Sequence, residues 1–445
     1  MADVAATVGA PPSPSATISR RHVAGVVLGN ALEFYDFLTY AFFAVQIGHT
    51  FFPGHSPFAS LMLSLVTFGA GFICRPIGAV LIGRYADRVG RRPAMVFTFA
   101  LMGASILGLA LTPSFAAIGP LAPILVVTWR LAQGFALGGE VGPTTAYLVE
   151  ASPPLKRGFY SAWQSTSQAI ASMAGGLVGV ALAGIMGEAA LEAWGWRVAF
   201  ALGALVLPVG LLIRRDLPET LHHAEPPHAA HAARGDIRGH ARVVIVGLAL
   251  ILSGTVTTYV QSFMTTYAIT TLHMPTVVAL GAPVAVGLAQ VIFCLVGGAL
   301  GDRIGRKPLL IWPRILLIVL IYPAFVLMVR NHDAVTLLTA SALLAAVHAF
   351  CAVTVLVSIT ESLRKDIRSA GLATIYATSV AVFGGSTQPI VAWLIHATGN
   401  PMAPAWYMIT ANVIGLIAAF FVTETAPRLT GGVAPLRGAA SLPAG

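Results

Sequence analysis

The sequence predicts an all-α integral membrane protein of twelve transmembrane helices in two pseudo-symmetric halves of six, and three observations carry that prediction. Composition is the first: 57% of the 445 residues are apolar and 10% are charged, with a mean hydropathy of +0.82. Too little polar surface remains to clothe a soluble body of this size. The second is a series of apolar runs, each near the ~20 residues a bilayer requires. They lack the alternation of barrel strands, so helices must satisfy the backbone in lipid. The third is a repeat. Asp87-Arg88-Val89-Gly90-Arg91-Arg92-Pro93 returns as Asp302-Arg303-Ile304-Gly305-Arg306-Lys307-Pro308, and Glu150, Arg157 and Gly158 are echoed by Glu361, Arg368 and Gly371, in the same order 211 to 215 residues later.

In chain order, residues 1–19 (MADVAATVGAPPSPSATIS) have no basic start and no long apolar core, and read as a disordered cytoplasmic tail, not a cleaved signal. The first bundle, 20–213, holds spans near 23–47, 58–83, 93–112, 121–148, 159–186 and 195–213. A cytoplasmic linker over 214–241 follows, rich in His, Pro and Ala. Its His222, His223, His228, His231 and His240 lack the cysteines or regular spacing of a metal site, so no metal is expected. The second bundle, 242–425, holds spans near 242–270, 276–300, 308–329, 334–360, 370–397 and 403–423, before a tail over 426–445. Cys74, Cys294 and Cys351 all fall within spans and read as small packing residues, not as a disulfide framework.

Lys and Arg set the orientation. Of the 26, 21 lie in the tails or in loops after even-numbered helices, Arg197 and Arg330 lie near the opposite face, and Arg75, Arg130 and Arg314 lie within spans. Both termini are therefore expected in the cytoplasm. The formal charge of +9 does not imply a nucleic-acid partner, because the basic residues are dispersed between apolar spans rather than gathered on one folded face. A parallel repeat in a membrane chain is the signature of transporters that rock two six-helix halves around one site.

The repeated loop has a physical reading. Asp87 and Asp302 sit beside Arg88, Arg91, Arg303 and Arg306, and can form charge-assisted bonds at the cytoplasmic surface. Glu150 and Glu361, at the ends of helices 4 and 10, are natural partners for those arginines. Lys and Arg alone would suffice to enforce topology, so the paired acids point to a latch that also includes Arg157 and Arg368.

Charges inside the spans carry the argument about transport. Glu33 and Asp36 lie three residues apart on helix 1, and Arg130, Gln133 and Glu140 lie on helix 4. A charge in mid-bilayer costs roughly 2.5 to 3.5 kcal/mol on insertion scales, so these side chains should face a polar cavity or each other. Arg75 on helix 2 either offers a second cation to a carboxylate or braces the latch. Gln164, Ser165 and Gln168 on helix 5, Tyr267 and its polar neighbours on helix 7, Gln290 on helix 8 and Gln388 on helix 11 are expected to supply hydrogen bonds to a small polar solute. Ala171, Gly175, Gly179 and Ala183 form a packing stripe on helix 5. Arg314 should snorkel to headgroups, and His348 reads as a packing histidine.

The stretch GNALEFYDF, the run FFPGHSPFASLMLSLVTFGAGFICRPIGAVLIGRYADRVGRRP, then RLAQGFALGGE and KRGFYSAWQSTSQ resemble the metabolite:proton symporter branch of the major facilitator superfamily, over about residues 20 to 425. WQSTSQ, WGWR and FGGSTQP are most similar to the citrate and tricarballylate symporters, although Gln261-Ser262 stands where those carriers tend to show Phe-Tyr. The resemblance implies import of a small organic anion with protons across an inner membrane, by a monomer that needs no cofactor beyond the coupling proton. It also implies a pairing of Asp36 with Arg130; Glu33 and Glu140, the other acids within these spans, are the next candidates for the proton site. A substrate carboxylate that competes for Arg130 would tip Asp36 towards its protonated form. The rival is a permanent ion pair that only sets packing. Other function classes fit less well: an osmolyte carrier of this branch would not need a basic cavity and would be expected to end in a coiled coil, whereas this sequence ends in RLTGGVAPLRGAASLPAG. A drug exporter would want a more apolar, cation-seeking cavity. No phosphate loop, HExxH or Ser-His-Asp signature suggests an enzyme.

Overall fold

A computed structural model describes residues 20–54, 56–89, 91–138, 148, 152–204, 241–363 and 368–430. The predicted N-terminal tail, nearly all of the linker, residues 431–445, Glu140 and Glu150 lie outside the described residues, as do the side chains of Asp87, Arg91 and Arg368. Within the described residues the chain forms helices and no strand.

The first six spans correspond to α1 (Arg20–Phe42 and, past a break at Phe43, Ala44–Phe51), α2 (Pro57–Val89), α3 (Arg91–Leu111), α4 (Leu121–Leu137), α5 (Arg157–Ala190) and α6 (Trp196–Ala204). The second six are α7 (Ala241–Thr270), α8 (Thr276–Ile304), α9 (Arg306–Asn331), α10 (Ala334–Ser362), α11 (Arg368–Ser379 and Gly385–Thr398, joined by the π turn Val380–Gly384) and α12 (Ala403–Phe420). Among the described residues, eight helical stretches are long and apolar enough to cross a membrane, and Val96–Leu111 and Leu121–Leu137 are shorter apolar ones. Prolines at 76, 283, 313, 323 and 389 sit inside helices, which membrane packing tolerates because neighbours re-satisfy the freed carbonyls. Asp333 caps α10 by accepting the Thr336 amide at 2.9 Å and its hydroxyl at 2.6 Å, and these bonds hold the exposed carboxyl below its usual range.

Large apolar side chains point outwards: Ile73, Leu111, Ile185 and Trp312 are each 67% exposed or more. In water such a surface would drive aggregation; against acyl chains it is the appropriate one.

Two glycine contacts decide how the helices meet. A Cβ on Gly134 of α4 would overlap the Gly71 carbonyl of α2, and one on Gly78 would overlap the Phe135 carbonyl, so α2 and α4 pack backbone to backbone. Between the halves, α5 and α8 form one antiparallel seam. Added Cβ atoms would lie 2.6 Å from the Gly298 carbonyl at Gly158, 2.7 Å from the Ala169 carbonyl at Gly287 and 3.0 Å from the Val284 amide at Gly176. The expected helix 5 stripe is split: Gly179 meets Leu280 across the seam, while Gly175 meets Thr39 and Phe42 of α1.

Candidate functional site: a buried cation pair beside a neutral cavity

Close approach of α2 and α4 brings Arg75 and Arg130 into one aromatic box. The Arg75 guanidinium lies 4.5 Å from the Phe37 ring centre and 4.3 Å from that of Phe72, while Arg130 lies 5.0 Å from Phe37, 4.3 Å from Tyr40 and 5.2 Å from Phe68. Cation–π contact is worth perceptibly more when desolvated, and these groups are 5% and 1% exposed. The rings do not satisfy the N–H donors. Nε and Nη2 of both arginines have no hydrogen-bond partner; Nη1 of Arg130 donates to Gln133 Oε1. Such a donor set suits a planar carboxylate.

Asp36 lies in the same layer, fully buried, with no hydrogen bond to either carboxyl oxygen. It packs towards α6, where a Cβ on Gly203 would lie 3.8 Å from its own Cβ. The predicted Asp36–Arg130 pair is thus adjacent in the core but is not joined by a hydrogen bond. Glu33, 4% exposed, borders a small recess with Thr98, Phe99, Met102, Ala136 and Leu137, away from that box.

A central cavity opens beside this layer. Of the residues expected to contact solute, Gln168 and Gln290 line it, together with Ser165, Thr258, Tyr259, Gln261 and Ser262. Four others do not. Gln164 donates to Asn30 at 3.2 Å, and Asn30 donates to Ser167 at 2.6 Å, a clamp between α1 and α5. Tyr267 donates to the Pro401 carbonyl at 2.9 Å, where it anchors the start of α12. Gln388 is fully buried away from the cavity, with both amide atoms unpartnered. Gln133 serves Arg130, as described. Tyr259 is the partition: it lines the cavity and packs on Phe72 at 5.3 Å and Phe68 at 6.1 Å, so it stands between the opening and the cations. Two other expectations change. Arg314 does not snorkel but is 1% exposed and donates to the Gly415 carbonyl at 2.9 Å, pinning α9 to α12. His348, read as a packing residue, lines the cavity.

On the face that carries the repeated loops, the second copy forms a closed network. Arg306 pairs with Asp302 at 2.9 Å and with Glu361 at 3.2 Å, and Thr425 donates to Glu361 at 2.8 Å. Asp302 also crosses to the first half, accepting the amides of Gly158 at 2.8 Å and Phe159 at 2.9 Å. Those amides are free because they open α5. Arg88 and Arg303 are exposed, and Arg157 is half-buried. Residue patterns did not single out the α5 amides or Glu424, which accepts the amides of Arg306 at 2.8 Å and Lys307 at 3.0 Å and caps α9. Only the position of Glu424 just beyond a predicted helix end could have signalled it. At the opposite face the halves also touch: Glu188 of α5 accepts the Thr276 amide at 2.9 Å, and Phe58 stacks on His396 at 3.7 Å.

Comparison with known proteins places this geometry. The Major Facilitator Superfamily profile matches residues 26–386. The citrate-proton symporter of Klebsiella pneumoniae is 35% identical over 89% of this chain and 90% of its own. The proline/betaine transporter of Escherichia coli strain K12 is 32% identical over 94% of this chain and 85% of its own. A crystal structure of a D-xylose-proton symporter shares the fold at a TM-score of 0.73 and 20% identity, covering 92% of this chain and 98% of that one. A twelve-helix carrier with buried charge in its core and these relatives is a transporter rather than an enzyme, and the chain belongs to the major facilitator superfamily, among its metabolite:proton symporters.

Proposed function

We propose that this carrier imports a small organic anion, citrate or a related tri- or dicarboxylate, together with protons, by alternating access across an inner (plasma) membrane. In this reading 20–213 and 242–425 are the two moving bodies, the termini and the repeated loops are cytoplasmic, the protein acts as a monomer, and the proton is its sole coupling partner. The observation that carries the reading is the cation pair: Arg75 and Arg130, both buried, each keep two nitrogens without a partner. A buried donor left unmade costs about 1–3 kcal/mol, and more when charged, so an incoming carboxylate is strongly favoured there.

Asp36 supplies coupling. A carboxyl with no donor around it is cheapest to hold with its proton on. Protonated, it leaves Arg130 to the substrate. When the substrate departs, Arg130 is free to attract the carboxylate and the proton is expelled, so neither ligand crosses alone. Glu33 and Glu140 are the reserve proton sites. The Arg306–Asp302–Glu361 network, with the first-half copy of the motif, closes the cytoplasmic side.

Uptake into proteoliposomes with an inside-alkaline gradient tests the substrate class. Labelled citrate should accumulate and be competed by other polycarboxylates, and not by betaine or glucose. The zwitterionic reading, which the proline/betaine relatives keep in view, predicts competition by betaine alone.

A further inference from the structure

Among the described residues that line the central cavity there is no Asp, Glu, Lys or Arg. In the organic-anion reading, the solute's charge is met behind Tyr259, in the aromatic box. What the cavity offers is a compact group of neutral hydrogen-bonding side chains on α7 and α10. Thr258 and Gln261 lie three residues apart, on one face of α7. The Gln261 carbonyl oxygen accepts from Gln290 Nε2 at 3.0 Å, which fixes the amide and leaves its Nε2 with no protein partner. His348 of α10 sits across from them, with its Nε2 3.4 Å from the Thr258 hydroxyl and its Nδ1 unpartnered. His348 and Gln261 are 2% and 4% exposed, yet both line the cavity. A histidine placed only for packing would have its ring nitrogens satisfied in the protein.

The chemistry narrows the ligand. None of these three side chains carries a charge that would offset an ionised group, so the carboxylates of a solute are better placed towards Tyr259 and the cations behind it. A hydroxyl fits: it accepts from the Gln261 amide and donates to an imidazole nitrogen, using a donor and an acceptor together. We propose that His348, Gln261 and Thr258 form a second subsite that reads a hydroxyl of the solute, so that the carrier prefers hydroxy acids to their deoxy analogues. The inference rests on the organic-anion reading above and names which part of the anion the second half of the protein recognises.

Citrate and propane-1,2,3-tricarboxylate differ by that one hydroxyl. Binding of each to the purified full-length protein, by calorimetry or thermal shift, should favour citrate by about tenfold, the scale of one net hydrogen bond in a buried site. His348→Leu and Gln261→Leu should bring the ratio near one by weakening citrate alone, with the analogue held within about twofold. His348→Asn, which keeps a donor and an acceptor, should restore much of the preference, and Thr258→Val should lower it in part. A wild-type protein that takes both acids equally overturns the subsite without any variant being made. So does a preference that survives both Leu variants, or a parallel loss of both acids, which would mark a structural role. A wild-type protein that takes neither of these acids, nor a hydroxy or deoxy dicarboxylate, overturns the organic-anion reading, and the subsite with it.

Discussion

Asp302→Asn isolates one contact that joins the halves on the motif face. The native carboxylate accepts the Gly158 amide on one oxygen at 2.8 Å and the Phe159 amide on the other at 2.9 Å, and it is 8% exposed, so solvent screens these bonds little. Asn keeps the shape but turns one oxygen into an NH₂ that faces an N–H donor, so at least one charge-assisted bond is lost. Such bonds contribute about 1.5–3 kcal/mol, a shift of roughly 10- to 150-fold in the closed-to-open equilibrium of that face. Arg306 stays held by Glu361, so the second half itself should remain intact. Cys294 borders the cavity and is 2% exposed, so its labelling reports opening of the structure. With Cys74 and Cys351 replaced by Ala, maleimide labelling of Cys294 from the motif side should rise at least severalfold in the variant, while labelling from the opposite side falls. Unchanged rates from both sides, in a variant that still inserts and binds substrate, would refute the latch.

Three further variants probe the core. Asp36→Asn imitates the protonated acid and should keep substrate binding and exchange while losing uphill accumulation in a pH gradient, whereas Arg130→Ala should lose anion binding itself; if the Asn variant still accumulates substrate, Glu33 or Glu140 carries the proton. Gly134→Ala should cost more than the about 1–3 kcal/mol typical of overpacking, because the added methyl meets a carbonyl of α2 rather than a movable side chain. Its melting temperature and its anion affinity should fall together, since Gly71 and Gly134 set the approach that brings Arg75 and Arg130 into one box; an unchanged melting curve would break that argument.

The twelve spans and the repeat were legible because lipid demands long apolar runs and helix ends demand charge. Arg130 and Asp36 were legible for a related reason: an ionisable group in mid-span is too costly to be incidental. Their mutual geometry was not legible, because it depends on which face of α1 turns towards α6, and that is fixed by Gly203 and the Tyr35 hydroxyl bonded to the Ala199 carbonyl at 3.1 Å. Nor could the sequence separate Gln168 from Gln164: both read as polar residues on one helix, yet one lines the cavity and the other is taken by Asn30. Arg314 misled because its distance from the helix end suits snorkelling, while the missing side chain at Gly415 makes an internal carbonyl accessible instead.

The seam between α5 and α8 has a mechanical consequence. Its contact points run from Gly158 and Gly298 on the motif face to Gly179 and Leu280 nearer the other, and at each a glycine meets backbone or a side chain of the facing helix. On the far flank, Gly69 of α2 and Gly385 of α11 meet in the same way. Where a glycine faces backbone, one helix can tilt over the other with little side-chain repacking, so the seam suits the rocking of the two halves in the proposed cycle.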